Sequence, residues 1–147
     1  MTSKLCPALL AATLATAAAP AFAADPAGQC ADNFAVDGSW SSGKTCTTAV
    51  QQAGDYGQVY DRLLKAITDD GMILDFNRKE TGYIRASNPV KGGQGGTATA
   101  PLRGKVQRMP GGEVKIDLTF TIAGGQMTPK KAVLGAFCKY TDSAFAP

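Results

Sequence analysis

The stretch Val114-Lys115-Ile116-Asp117-Leu118-Thr119-Phe120-Thr121-Ile122 decides the fold. Apolar side chains alternate with Lys115, Asp117, Thr119 and Thr121 at the period of a β-strand, so one face is buried and the other wet. A strand of that kind belongs to an antiparallel sheet covered on one side. Immediately upstream, Pro110-Gly111-Gly112 closes a hairpin onto a strand over Leu102 to Met109. Before that comes a loop, Asn88 to Pro101, holding Gly92, Gly93, Gly95 and Gly96. Further back, Tyr83 to Ser87 reads as a strand with Ile84 and Ala86 inward. The turn Arg78-Lys79-Glu80-Thr81-Gly82 joins it to a strand in which Met72, Leu74 and Phe76 alternate with Ile73, Asp75 and Asn77.

Helices bracket this block. Asp55 with Gln58 fits a capping box and Gly71 a C′ stop, and between them Tyr56, Tyr60, Leu63, Leu64 and Ile67 form an apolar stripe. Asp61 and Lys65 are spaced as a water-facing i,i+4 pair. The last helix opens with Thr128 as cap and Pro129 in first position, and buries Val133, Phe137 and Tyr140, with Leu134 and Cys138 widening the stripe. A first strand over Lys44 to Gln51 carries Cys46 and Val50 on one face. The expected fold is α+β: a two-layer sandwich, largely antiparallel, with two helices on one face and the order β-α-β-β-β-β-α. Residues 24–43, rich in Gly, Ser, Ala and Asp, read as a flexible N-terminal arm to a single domain over 44–147. Trp40 is expected as a lid over the edge of the core.

Residues 1–23 carry the pattern of a secretory signal peptide of bacterial type: Lys4, the apolar run Leu9 to Ala19, then Ala21-Phe22-Ala23 as the cleavage signature. The run is shorter than the roughly 20 residues of a transmembrane helix, so no transmembrane segment is expected. Cleavage leaves residues 24–147, lowers the formal charge from +3 to +2 by removing Lys4, and leaves Cys30, Cys46 and Cys138. In the periplasm, or outside the cell, an odd set of this kind implies one disulfide and one spare thiol. Cys30 is expected in the bond, with Cys138 or Cys46 as partner.

The chemistry of the 147 residues is limited. There is no histidine, which excludes Ser-His-Asp and Cys-His nucleophile pairs and His-ligated zinc. A charge of +3 is too weak to argue for nucleic acid. The chain has no Cys-x-x-Cys pair, which disfavours a thiol oxidoreductase. One formal motif remains. Gly38-Ser39-Trp40-Ser41-Ser42-Gly43-Lys44-Thr45 matches the P-loop pattern, whose glycines, lysine and hydroxyl cradle phosphates and magnesium. A working P-loop sits between a buried strand and a helix N-terminus. Here Gly38, Gly43, Lys44 and Thr45 precede a strand, so the match reads as coincidental. Lys91-Gly92-Gly93-Gln94-Gly95-Gly96-Thr97 lacks the helix start that phosphate loops use and reads as a hairpin extension. Asp75 and Asp117 fall on outward strand positions, where pairing with Arg85, Lys105 or Lys115 is the expectation. No catalytic residue, cofactor or metal is expected.

The block Val59-Tyr60-Asp61-Arg62-Leu63-Leu64-Lys65-Ala66-Ile67, then Gly71-Met72-Ile73-Leu74, then Glu80-Thr81-Gly82-Tyr83-Ile84-Arg85-Ala86 resembles a bacterial envelope pattern. It is similar to repeats of the outer-membrane assembly lipoprotein BamC and of small envelope proteins, in element order across about residues 44–140. The resemblance implies a helix-on-sheet module that acts through contacts. The chain is expected to depart from it, since neither Cys6 nor Cys30 sits in a lipid-acceptor motif and the residues read as one domain. The expectation is therefore a non-enzymatic periplasmic interaction or accessory domain with an envelope protein partner. The alternatives are a small apolar ligand in a groove between sheet and last helix, and, behind it, a nucleotide held by residues 38–45.

Overall fold

The computed structural model describes residues 25–90 and 98–147. The signal-peptide reading of residues 1–23 and the glycines of 91–97 lie outside the described residues. The chain forms α1 (Pro26–Asp32), β1 (Ala35–Ser39), β2 (Gly43–Ala53), α2 (Tyr56–Asp69), β3 (Ile73–Arg78), β4 (Tyr83–Val90), β5 (Ala98–Arg108), β6 (Glu113–Ile122) and α3 (Lys130–Phe145). The strands make one six-stranded antiparallel sheet in the order β1-β2-β6-β5-β4-β3. The fold is α+β with two layers, and the sheet is open.

Topology follows from the hydrophobic pattern. Along β6, Val114, Ile116, Leu118, Phe120 and Ile122 are buried while Lys115, Asp117 and Thr119 are half-buried on the other face. The cross-strand partners of that apolar row share its side of the sheet: Cys46, Thr48 and Val50 from β2, and Leu102 and Val106 from β5. Burying this face requires a second layer. Helix α2 supplies part of it through Val59, Tyr60, Leu63 and Ile67, and carries the chain from β2 to the far edge at β3. The strands then return by antiparallel pairings until β6 meets β2, and α3 packs Val133, Phe137, Tyr140 and Ala144 into the remaining space.

Local chemistry fixes the ends. The Asp55 carboxylate accepts from the Gln58 N–H at 2.9 Å, and Gly71 takes φ +84° just past the C-cap of α2. Gly82, at φ +73° between β3 and β4, lies so close to β5 that a Cβ there would stand 1.9 Å from the Val106 carbonyl oxygen.

Several expectations are corrected. The seven elements expected as β-α-β-β-β-β-α are present in that order as β2 to α3, and α1 and β1 precede them in the segment read as an arm, so three helices flank the sheet. Helix α1 has a structural reason. Strand β1 pairs with β2 only over residues 43–47, which leaves the next stretch of the β2 edge open. Helix α1 covers it: Asn33 Nδ2 donates to the Ala49 carbonyl (2.7 Å), the Gln51 N–H donates to Gln29 Oε1 (3.0 Å), and buried Thr48 donates to the Cys30 carbonyl (2.8 Å). In α3, Thr128 does not cap: Pro129 is the N-cap, with no side-chain hydrogen bond. Asp61 pairs with Lys79 across the turn, and Lys65 pairs with Asp69 instead. Trp40 is 60% exposed at the β1–β2 turn and covers no core. Phe76 also changes sides. A register shift between Leu74 and Phe76 puts its ring opposite Arg85 on the open face, because the extra residue of a bulge reverses strand parity.

Candidate functional site

The residues singled out in the sequence scatter. Gly38 and Gly43 flank the turn of the β1–β2 hairpin, where their φ angles of +97° and +96° are turn conformations. Lys44 and Thr45 lie inside β2, paired across the ladder with Ile122 and Thr121. The backbone there is committed to strand pairing and no helix starts after Thr45, so this stretch offers no phosphate cradle of the P-loop kind. Cys30 and Cys138 form a disulfide with Cα atoms 5.4 Å apart, tying α1 to α3. Cys46 is free and buried in the core. Burial pushes its thiol pKa up, against a smaller opposing pull from Lys44 and Lys130. Among the described residues no cluster of three or more Cys, Asp or Glu is placed to hold a metal.

Two concave regions remain. The first lies between the sheet and α3, where Phe120, Ile122, Phe137 and Tyr140 are all buried. A hollow of about 150 Å³ persists beside Leu102, Phe120, Val133 and Phe137. Its polar end is organised. Tyr140 donates to Asp70 at 2.6 Å and Lys139 pairs with the same carboxylate at 2.7 Å. These two hydrogen bonds hold the Asp70 pKa below the usual carboxylate value, while burial and the Asp70 contact push the Tyr140 phenol far up.

The second is on the open face of the sheet, with about 330 Å³ of space. Strand register builds it. One row across the sheet reads Phe76, Arg85, Arg103, Thr119, and the next reads Arg78, Tyr83, Lys105, Asp117. Phe76 and Tyr83 are 45% and 48% exposed. Each ring carries a cation: Arg78 stands 5.5 Å from the Phe76 centroid, and Lys105 stands 4.7 Å from that of Tyr83 while donating to its hydroxyl at 3.1 Å.

The carboxylates of this region are already engaged. Asp117 pairs with Lys115 at 2.8 Å, and Asp75 accepts from the Ser87 hydroxyl at 3.1 Å. The expected pairings of Arg85 and Lys105 with acids are therefore not made; only that of Lys115 is. Among the described residues the side chains of Arg85 and Arg103 make neither a hydrogen bond nor an ion pair, and the two residues stand directly opposite each other on neighbouring strands. Like charges so placed cost stability. Strand parity puts Arg85 outward, and the alternation beside Leu102 is the signal for Arg103, which the sequence reading does not name; their juxtaposition depends on the β4–β5 register, which no local pattern encodes. Phe76 was missed because of the bulge.

No protein-family model matches the chain, and no curated protein matches it.

Proposed function

We propose that the chain is a non-catalytic recognition module of the bacterial cell envelope, periplasmic or secreted, whose working surface is the open face of β3 to β6. The observation that carries this reading is the uncompensated Arg85–Arg103 pair, flanked by two exposed aromatic rings on strands backed by a packed core. A solvated sheet face ordinarily intersperses both signs of charge, and here the nearby acids are spent on other partners. The disulfide between Cys30 and Cys138 supports an oxidising compartment, as does the leader pattern of residues 1–23. No helix among the described residues is long and apolar enough to cross a membrane.

The test is retention of envelope components, both proteins and glycans, on the immobilised chain, against an Arg85→Gln/Arg103→Gln variant. Retention by the original chain that the variant loses supports the reading. Equal retention by both, or turnover of a small molecule with no retention, contradicts it.

One observation favours a second reading, a small apolar ligand between sheet and α3. The hollow of about 150 Å³ there is bordered by apolar side chains with the Asp70–Tyr140 contact at its rim. That space is comparable to an engineered apolar cavity of about 150 Å³ that accepts benzene. Benzene that shifts the methyl resonances of Leu102 and Val133 at low millimolar concentration supports it; unmoved methyls contradict it.

A further inference from the structure

We propose that the open face binds an anionic saccharide, a phosphorylated sugar or a uronic acid, with its acidic group between Arg85 and Arg103 and its ring against Tyr83 and Phe76. The inference rests on the reading of this face as the working surface and adds the chemical class of what it holds.

The acidic group follows from the arginines. Two guanidinium groups on directly opposed strand positions, with no carboxylate of their own, offer planar donor forks matched to the oxygens of a phosphoryl or carboxyl group. An oxyanion between them supplies hydrogen bonds that the fold leaves unmade and replaces repulsion with attraction. The ring follows from the flanks. Phe76 and Tyr83 keep about half of their surface exposed, and each is held by a cation rather than by the core. Exposed rings beside an anion site suit a ligand with an apolar face and a polar edge. Its hydroxyls follow from β6. Thr119 lies opposite Arg103 and can donate or accept, and the Asp117 carboxylate, its charge balanced by Lys115, keeps lone pairs for hydroxyl donors. The space of about 330 Å³ is more than twice that beside α3 and falls in the small-molecule range of roughly 300–1,000 Å³. A neutral sugar leaves the arginines unsatisfied, and inorganic phosphate leaves the exposed half of Phe76 and Tyr83 uncovered.

Calorimetric titration of the full chain at low salt tests this with glucose 6-phosphate, glucuronate, glucose, inorganic phosphate and adenosine monophosphate. The proposal expects both charged sugars to bind, or one of them, the tighter identifying the acidic group. Glucose and phosphate are expected at least about tenfold weaker, the worth of one charge-assisted hydrogen bond. Arg85→Gln/Arg103→Gln loses about tenfold or more toward the charged sugars, Tyr83→Ser loses a few-fold, and Lys131→Gln on α3 changes nothing. An unchanged circular dichroism spectrum shows that each variant folds. The proposal is overturned by no heat from either charged sugar, by equal binding to the arginine variant, by phosphate matching glucose 6-phosphate, or by tighter adenosine monophosphate. If neither charged sugar binds while envelope retention still depends on Arg85 and Arg103, the saccharide class falls and the recognition surface stands. If retention is also independent of them, both fall.

Discussion

Arg85 and Arg103 occupy directly opposite positions on β4 and β5, and neither meets a carboxylate among the described residues. The arrangement costs the fold something. Arg85→Thr or Arg103→Thr should raise stability by about 0.2–1 kcal/mol, since a like-charged pair is removed and threonine suits an exposed strand. The gain should shrink on going from low to molar salt, because these exposed charges are screened. Urea unfolding at the two ionic strengths measures it. A loss of stability at low salt would mean that the pair is not repulsive.

The disulfide holds α1 onto the rest of the molecule. It closes a sequence separation of 108 residues and lies beside the Phe34–Phe137 edge contact, whose ring centroids are 6.0 Å apart. Removing it with Cys30→Ala/Cys138→Ala should cost about 2–5 kcal/mol. Denaturant midpoints of the oxidised chain and the variant give the value.

Cys46 is the contrasting thiol, buried in the core on β2 with its pKa raised by that burial. In the folded chain it should fail to react with a thiol reagent at neutral pH and should react fully in denaturant. Time-resolved labelling followed by mass spectrometry distinguishes the two. Fast labelling of the native chain would place Cys46 at the surface.

The contact between Asp70 and α3 predicts a pH dependence. Hydrogen bonds from Lys139 and Tyr140 lower the Asp70 pKa in the folded state below its ordinary value of 3.8. The stability they contribute is therefore present above the unfolded pKa, near pH 4, and is lost as pH falls through the lower folded value. Tyr140→Phe should remove about 1–3 kcal/mol at pH 7 and less below pH 3. Thermal melts from pH 2.5 to 7 should show the two chains converging on the acid side.

Gly82 is required by geometry. Its positive φ and the 1.9 Å approach that a Cβ would make to the Val106 carbonyl oxygen leave no room for a side chain. Gly82→Ala should cost more than about 1 kcal/mol, while Gly111→Ala, which shares a positive φ but meets nothing within 4 Å, should cost less.

Much of the scaffold was legible because its signals are local and periodic. The alternation through Val114 to Ile122, the Asp55 and Gly71 ends of α2, and the stripe of α3 each depend on residues within one element. What escaped depends on partners distant in sequence. Helix α1 is only seven residues long, and its polar side chains make sense only against the exposed edge of β2. Asp61 finds Lys79 because the turn brings it there. The open-face site combines a bulge that reverses Phe76 with a register that aligns Arg85 and Arg103, and neither leaves a signature in spacing or composition.

The most direct measurement is a titration of the ¹⁵N-labelled chain with glucose 6-phosphate and, separately, with glucuronate, followed by amide and arginine side-chain shifts. The account predicts saturable shifts at Arg85, Arg103, Lys105 and Thr119, with Val133 and Phe137 beside the inner hollow unmoved. Shifts confined to Val133 and Phe137, or none at saturating concentrations of either sugar, would contradict it.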